Sequence, residues 1–204
     1  LWMGHDADRR GLNKASRLIF ASEWAAKSAV MDYNCDARKI DIVPLGANVE
    51  GGVSEGDLDG LVLKRLASPL KLLLIGVDWE RKGCEFAVEV LVELRRRGVS
   101  ARLDIVGCEP PSGFSVPEGV ICHGFMNKRD LAQVDKLRQL LTEATVLILP
   151  TKAECQGIVF NEAAAFGLPV IAPDTGGIGS VVSNGVTGIL MKVEALPTDW
   201  CDCI

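Results

Sequence analysis

The sequence predicts an α/β protein: a parallel sheet with helices on both faces, preceded by the tail of another α/β unit. Three observations carry this. Short β-branched or leucine-rich runs alternate with amphipathic helical stretches. The loops between them are short, so each strand–helix–strand step builds a right-handed crossover in one sheet. Before the first of these steps, Pro44–Asn48 and a polar, glycine-rich stretch through Gly60 interrupt the pattern. Residues 1–44 are too few for an α/β domain of their own. The division expected is therefore 1–48, the end of one domain with its linker, and 49–204, a second domain.

The elements follow in order. Ala7–Ser16 reads as a helix and Leu18–Ala21 as a strand. Ser22 caps a helix running to Tyr33, and Ile40–Val43 is another strand. Buried strands are expected at Leu72–Ile75, Arg102–Val106, Val120–Cys122, Val146–Leu149, Val170–Ala172 and Thr187–Met191. Phe86, Val90, Leu91 and Leu94 recur at helical spacing with charges opposite them. Arg95–Arg97, read as a solvated helix end, and Gly98 close that helix. Leu131, Val134, Leu137, Leu140 and Leu141 form a second apolar stripe, and Ile158–Phe166, closed by Gly167, a third helix. A shorter one is expected at Ile178–Val182, stopped by Ser183-Asn184-Gly185. Trp200–Ile204 predicts no element.

Composition narrows the function classes. The chain has 204 residues, 48% apolar and 24% charged, so a substantial core can form and disorder is excluded. Its net charge of −5 argues against broad nucleic-acid binding. No apolar run reaches the roughly 18 residues that span a bilayer, and Leu1–Arg10 carries charges where a signal peptide would be apolar. The first residue is leucine, which suggests a fragment. Seven scattered cysteines without a C-x-x-C pair argue against a disulfide framework or a zinc site and for a reducing, cytoplasmic compartment. Cys201 and Cys203 are expected to be exposed or frayed.

In open parallel sheets ligands sit beyond the carboxyl ends of the strands. The loops to read are therefore 76–83, 107–118, 123–130, 150–157 and 173–177. Neither a G-x-G-x-x-G fingerprint nor a P-loop is present. Glu154-Cys155-Gln156-Gly157 leads instead into a helix beginning Ile158-Val159. The amides there have no partner within the helix, the helix dipole is positive, and Gly157 permits close approach, so a diphosphate fits. Glu162, one turn further on, is placed to accept hydrogen bonds from a ribose diol, and Glu154 from the hydroxyls of a sugar beyond the diphosphate. Singly, each reads as a solvated charge. Together, flanking an anion site, they suit a nucleotide sugar. In the Gly76–Gly83 loop, Arg81 and Lys82 are cations at a helix N-terminus, an unfavourable place without an anion. They suit the charge of a leaving diphosphate. His123-Gly124-Phe125 ends a strand where Gly124 could meet a flat base with Phe125 packing nearby, although His123 alone reads as a partly buried structural residue. Asp174-Thr175-Gly176-Gly177 borders the sugar pocket or makes an ordinary turn.

These residues together resemble the GT-B-fold glycosyltransferases of the family-4 type, from about Leu12 to about Val193. Glu154 to Glu162 resembles that family's Glu–seven residues–Glu signature. Phe160-Asn161-Glu162-Ala163-Ala164-Ala165-Phe166-Gly167-Leu168-Pro169-Val170-Ile171-Ala172 resembles its helix–turn–strand, and Thr175-Gly176-Gly177-Ile178 its following loop. Ser22-Glu23-Trp24 and Pro44-Leu45-Gly46-Ala47-Asn48 resemble the end of the acceptor domain and the interdomain linker. The resemblance implies a Rossmann-like donor-binding domain of a retaining glycosyltransferase. It implies Glu162 on ribose, Glu154 on the transferred sugar, and Lys82 on the diphosphate with Arg81 standing in for the family's usual arginine, whose place is Val77. Gly76, Gly124, Phe125, Cys155, Gln156, Gly157, Ile158 and Val159 would line the donor. The family's glutamate shortly after the Gly-Gly pair is replaced here by Gly179 and Ser180. A nucleotide-sugar donor and a saccharide or other hydroxyl acceptor are implied, with no metal or other cofactor. The alternatives are a non-catalytic nucleotide-sugar-binding module, or a sugar epimerase or phosphorylase on the same fold.

Overall fold

A computed structural model of the chain describes residues 2–204. The order is α1 (Trp2–Lys14), β1 (Leu18–Phe20), α2 (Glu23–Met31), β2 (Ile40–Ile42), α3 (Leu58–Leu66), β3 (Leu70–Ile75), α4 (Cys84–Arg96), β4 (Ala101–Val106), β5 (Val120–Cys122), α5 (Leu131–Glu143), β6 (Val146–Ile148), α6 (Ile158–Ala165), β7 (Val170–Pro173), β8 (Gly188–Met191) and α7 (Pro197–Cys203). Strands β1 and β2 pair in parallel, Leu18 opposite Ile40. The other six form one parallel sheet in the order β5-β4-β3-β6-β7-β8.

The uninterrupted apolar character of the central strands follows from burial on both faces. Leu72, Leu73, Leu74, Leu103, Ile105, Leu147 and Ile148 are wholly inaccessible to solvent. Each such side chain contributes about 1.5–3 kcal/mol by leaving water. Helix α4 buries Ala87, Val90, Leu91 and Leu94 along one stripe. It ends where Gly98 takes φ 84° and Val99 N–H bonds back to Leu94 O at 3.0 Å, the glycine termination expected. Ser22 caps α2 through Oγ, which accepts from Ala25 N at 3.2 Å, and Asp130 caps α5 in the same way.

Strand order positions the site. From β3 the chain moves through α4 to β4 on one side; from β6 it moves through α6 to β7 on the other. The helices that follow therefore lie to opposite sides, and the two loops meet at a crevice at the carboxyl edge, where the order reverses.

Several expectations are corrected. Residues 58–66, read as continuing a polar loop up to Gly60, form α3. Its Arg65 is buried and donates to Leu141 O (3.0 Å), Thr142 O (3.1 Å), Phe166 O (2.9 Å) and Gly167 O (2.7 Å). These carbonyls lie at or just past the ends of α5 and α6, so one guanidinium satisfies four acceptors and meets two negative helix ends. Burial lowers the pKa of Arg65 from its ordinary value, though far too little to discharge an arginine. Residues 178–182 make only one 3-10 turn, Ile178–Ser180, because Gly176, Gly177 and Gly179 favour turning over helix propagation. The chain end is not featureless. Pro197 starts α7, Asp199 accepts from Leu196 N at 2.8 Å, and Trp200 is buried edge-on against Phe86, ring centres 5.3 Å apart. Cys201 is accordingly buried, and of these two Cys203 alone is exposed. Arg97 reaches Thr198 O and the Asp202 carboxylate, so this one arginine of the cluster ties α4 to α7, while Arg96 stays largely in solvent as expected.

Candidate functional site

The loop after β3 carries Lys82. Its aliphatic stem lies across Gly76, where a Cβ would stand 2.5 Å from Lys82 Cγ. Glycine at the strand end therefore lets this chain fold back over the crevice. Lys82 is largely buried, and its ammonium donates to the Glu154 carboxylate in the loop after β6. Arg81 stands further out. Its guanidinium lies 3.9 Å from Glu154 and 3.5 Å from Asp78, and it donates to Ala153 O at 3.3 Å. The Arg81 N–H bonded to Asp78 holds that carboxyl below its usual range. Lys152 N–H bonds to Arg81 O at 2.8 Å, so the backbones of the two loops are joined. The unfavourable placing of cations before a helix is offset by Glu154.

Glu154 is held from its other side. Gly177 N–H donates to Glu154 O at 3.0 Å, and a Cβ on Gly176 or Gly177 would overlap the Glu154–Cys155 backbone. Gly157, at φ 82°, begins α6. A Cβ there would meet the Phe160 ring at 2.5 Å. The amides of Ile158 and Val159 follow, lacking helix carbonyls to bond; Ile158 is partly exposed and Val159 buried. Glu162, one turn on, is almost wholly buried and accepts from Lys128 Nζ. Neither acidic residue is therefore a free solvated charge. Cys155 is exposed, its sulfur 4.0 Å from Ser22 Oγ.

The Gln156 side chain turns toward the linker. Its Oε1 accepts from Leu45 N at 3.1 Å, and Leu45 O accepts from Asn161 at 2.6 Å. Its buried Nε2 has no partner among the described residues. Beside this docked linker a cleft of about 480 Å3 opens between Trp24, Lys27 and Pro44 on one side and Asp174, Gly176 and Ser180 on the other.

On the far side of Gly76, the strand ends continue the edge. Gly107 abuts Gly76, and its N–H donates to Gly124 O at 2.8 Å. His123 Nε2 lies 2.7 Å from buried Asp104, whose other oxygen accepts from Arg102 at 2.9 Å, the structural histidine expected. Phe125, just past the strand end, is 71% exposed.

The structure thus brings Gly76, Arg81, Lys82, Glu154, Gly157, Ile158 and Val159 to one crevice, with Glu162 beneath it and Gly124 along the same edge. Lys128 is the residue that sequence reasoning missed. A lysine in a polar loop has no periodic signature, and only the fold brings it to Glu162.

A family model described as "Glycosyl transferases group 1" matches residues 69–204. D-inositol 3-phosphate glycosyltransferases of Nocardia farcinica and Paenarthrobacter aurescens are 27% and 26% identical, over 97% and 98% of this chain but 46% and 50% of their own length. The chain spans about half the length of the curated relatives it matches. Among solved structures, HepE of Anabaena in complex with UDP-glucose superposes with a TM-score of 0.74 at 18% identity, over 98% of this chain and 56% of that one. Sucrose-phosphate synthase of Thermosynechococcus elongatus gives 0.75 at 21%, over 100% and 51%.

Proposed function

This chain belongs to the group 1 glycosyl transferases, and on that premise we propose that residues 49–204 are the donor-binding half of a retaining enzyme that transfers a sugar from a nucleoside-diphosphate sugar to a hydroxyl acceptor. Residues 1–48 are the end of its acceptor domain and the linker. The observation that carries this reading is the meeting of Lys82 and Glu154 across the strand-order reversal, with the open amides of α6 beside them.

The diphosphate lies between the α6 amides and the Lys82 and Arg81 cations. These fixed positive groups face the charge that grows on the leaving diphosphate as the glycosidic bond breaks, and so stabilise the transition state. They offset the diphosphate charge themselves, so no metal ion is needed. Glu162 accepts from the ribose hydroxyls, exchanging its bond with Lys128 for them. Glu154, released from Lys82 as the phosphate takes the ammonium, accepts from the hydroxyls of the transferred sugar. Gly124 offers backbone to the base. The sugar faces the cleft between Trp24 and Asp174, from which the acceptor oxygen attacks. Retention places that oxygen on the same face of the sugar as the departing diphosphate, whose own oxygen takes the acceptor proton.

HepE was solved with UDP-glucose and with UDP, which makes UDP the first probe. A thermal-shift screen of UDP, GDP and ADP tests the reading, because a ligand specific to the folded state raises stability by about 2.7 kcal/mol at 100 times its Kd. One diphosphate is expected to raise the melting temperature by several degrees, with its monophosphate much weaker. No shift with any of the three contradicts the proposal.

A further inference from the structure

Cys84 is the first residue of α4, directly after Lys82-Gly83. Cys108 is the second residue past β4, after Gly107. Though 24 residues apart in sequence, their sulfurs lie 3.6 Å apart. The β3–β4 pairing, which sets Ile75 opposite Val106, brings the two strand ends together. Cys84 is wholly buried; Cys108 is partly exposed. A buried cysteine alone is a small apolar side chain. Two in sulfur contact, one reachable from solvent, are the arrangement that thiol–disulfide exchange requires.

We propose that Cys84 and Cys108 form a thiol–disulfide exchange site for small-molecule disulfides such as glutathione disulfide, closing reversibly into a bond beside the Lys82 loop. Cys108 is the attacking residue because it is the exposed one. The hydrogen bond between the two thiols lowers the Cys108 thiol from its ordinary range and raises that of Cys84. The Cys108 thiolate attacks one sulfur of glutathione disulfide and expels a glutathione thiolate. Cys84 passes its proton to that thiolate, attacks Cys108 sulfur and expels the second glutathione, which takes up a proton from solvent. Two protein thiols and one glutathione disulfide thus give one protein disulfide and two glutathione thiols, with two electrons passing to glutathione. Cys84 is the partner because its sulfur is the one in contact with that of Cys108.

The bond draws the sulfurs from 3.6 Å to about 2 Å. Cys84 follows Lys82-Gly83 directly, and Gly107, before Cys108, abuts Gly76 O, so the movement bears on the loop that holds Lys82 against Gly76. If that loop binds diphosphate, as proposed above, the oxidised chain binds UDP several-fold more weakly.

The test incubates the 204-residue chain in glutathione buffers of graded ratio, then maps disulfides by alkylation and peptide mass spectrometry. The expected result is a Cys84–Cys108 crosslink that removes these two thiols from the seven and is reversed by dithiothreitol. The Cys108→Ser variant, altered at the partly exposed site, forms no crosslink at Cys84. A linkage to Cys122, glutathione left unresolved on Cys108, or seven retained thiols overturns the proposal. Equal UDP affinity of the oxidised and reduced forms overturns its consequence for binding. A reduced protein that does not bind UDP counts against the proposed function alone and leaves a mapped disulfide standing.

Discussion

Lys82 and Glu154, separated by 72 residues, form an ion pair across the point where the strand order of the sheet reverses. A diphosphate bound as proposed would compete with Glu154 for the ammonium. The carboxylate that would hold the sugar thus also restrains the cation that would hold the phosphate.

Glu154→Gln is predicted to tighten UDP binding about threefold to tenfold, the equivalent of about 1 kcal/mol of competition removed. UDP-glucose gains less, since the amide replaces a charged acceptor for the sugar hydroxyls by a neutral one. Calorimetric titration of both ligands measures the difference.

Gly157→Ala is predicted to damage the start of α6. Holding an L residue at φ 82° costs about 1–2 kcal/mol, and the new methyl would press on the Phe160 ring. Urea unfolding is expected to show a loss of about 2 kcal/mol or more, with UDP binding lowered as well. Gly98→Ala, at φ 84° with open space around it, is the control for strain without collision.

Arg65→Met is predicted to destabilise the fold by about 3 kcal/mol or more, because four carbonyls lose their donor in a buried place. Arg65→Lys recovers only part of this, as an ammonium cannot match the fork that reaches two helix ends. Chemical denaturation of the three proteins gives the order wild type, Lys, Met.

Acid sensitivity follows from two carboxyls on the surface. Hydrogen bonds from Arg96 and Arg97 hold Glu93 at about 2, down from 4.5, and Arg38 holds Asp36 at about 2, down from 3.8. Both pKa values are lowered by folding, so the unfolded chain binds protons first. Their stabilisation is fully present above about 4.5 and is lost as the pH falls toward about 2. Melting temperature is expected to decline across that window. Glu93→Gln, which also loosens the Arg97 link to α7, is expected to melt lower at neutral pH and to decline less steeply.

What could be read from the sequence divides by the range of the force involved. The central strands were legible because burial on both faces leaves continuous apolar runs such as Leu72–Ile75. Helix α4 was legible from its stripe, and the Gly157 junction from a glycine before a helix. Helix α3 was not: Gly60 weakens its propensity, and what holds its end is Arg65 reaching carbonyls 76 to 102 residues away. Helix α7 is seven residues long and shows itself only once Trp200 meets Phe86. At the site, the convergence of the Lys82 and Glu154 loops followed from topology. The Lys128–Glu162 pair and the turn of Gln156 toward Leu45 did not, because each depends on where a single side chain lands.

The most direct measurement is calorimetric titration of UDP into the wild-type chain, Lys82→Ala and Glu162→Ala. Lys82→Ala loses a charge-assisted contact of about 1.5–3 kcal/mol, roughly a tenfold to hundredfold loss of affinity. Glu162→Ala is expected to weaken UDP by about tenfold while leaving deoxyuridine diphosphate, which lacks the 2′-hydroxyl, less affected. Wild-type affinity for UDP in both variants would contradict a donor site in this crevice.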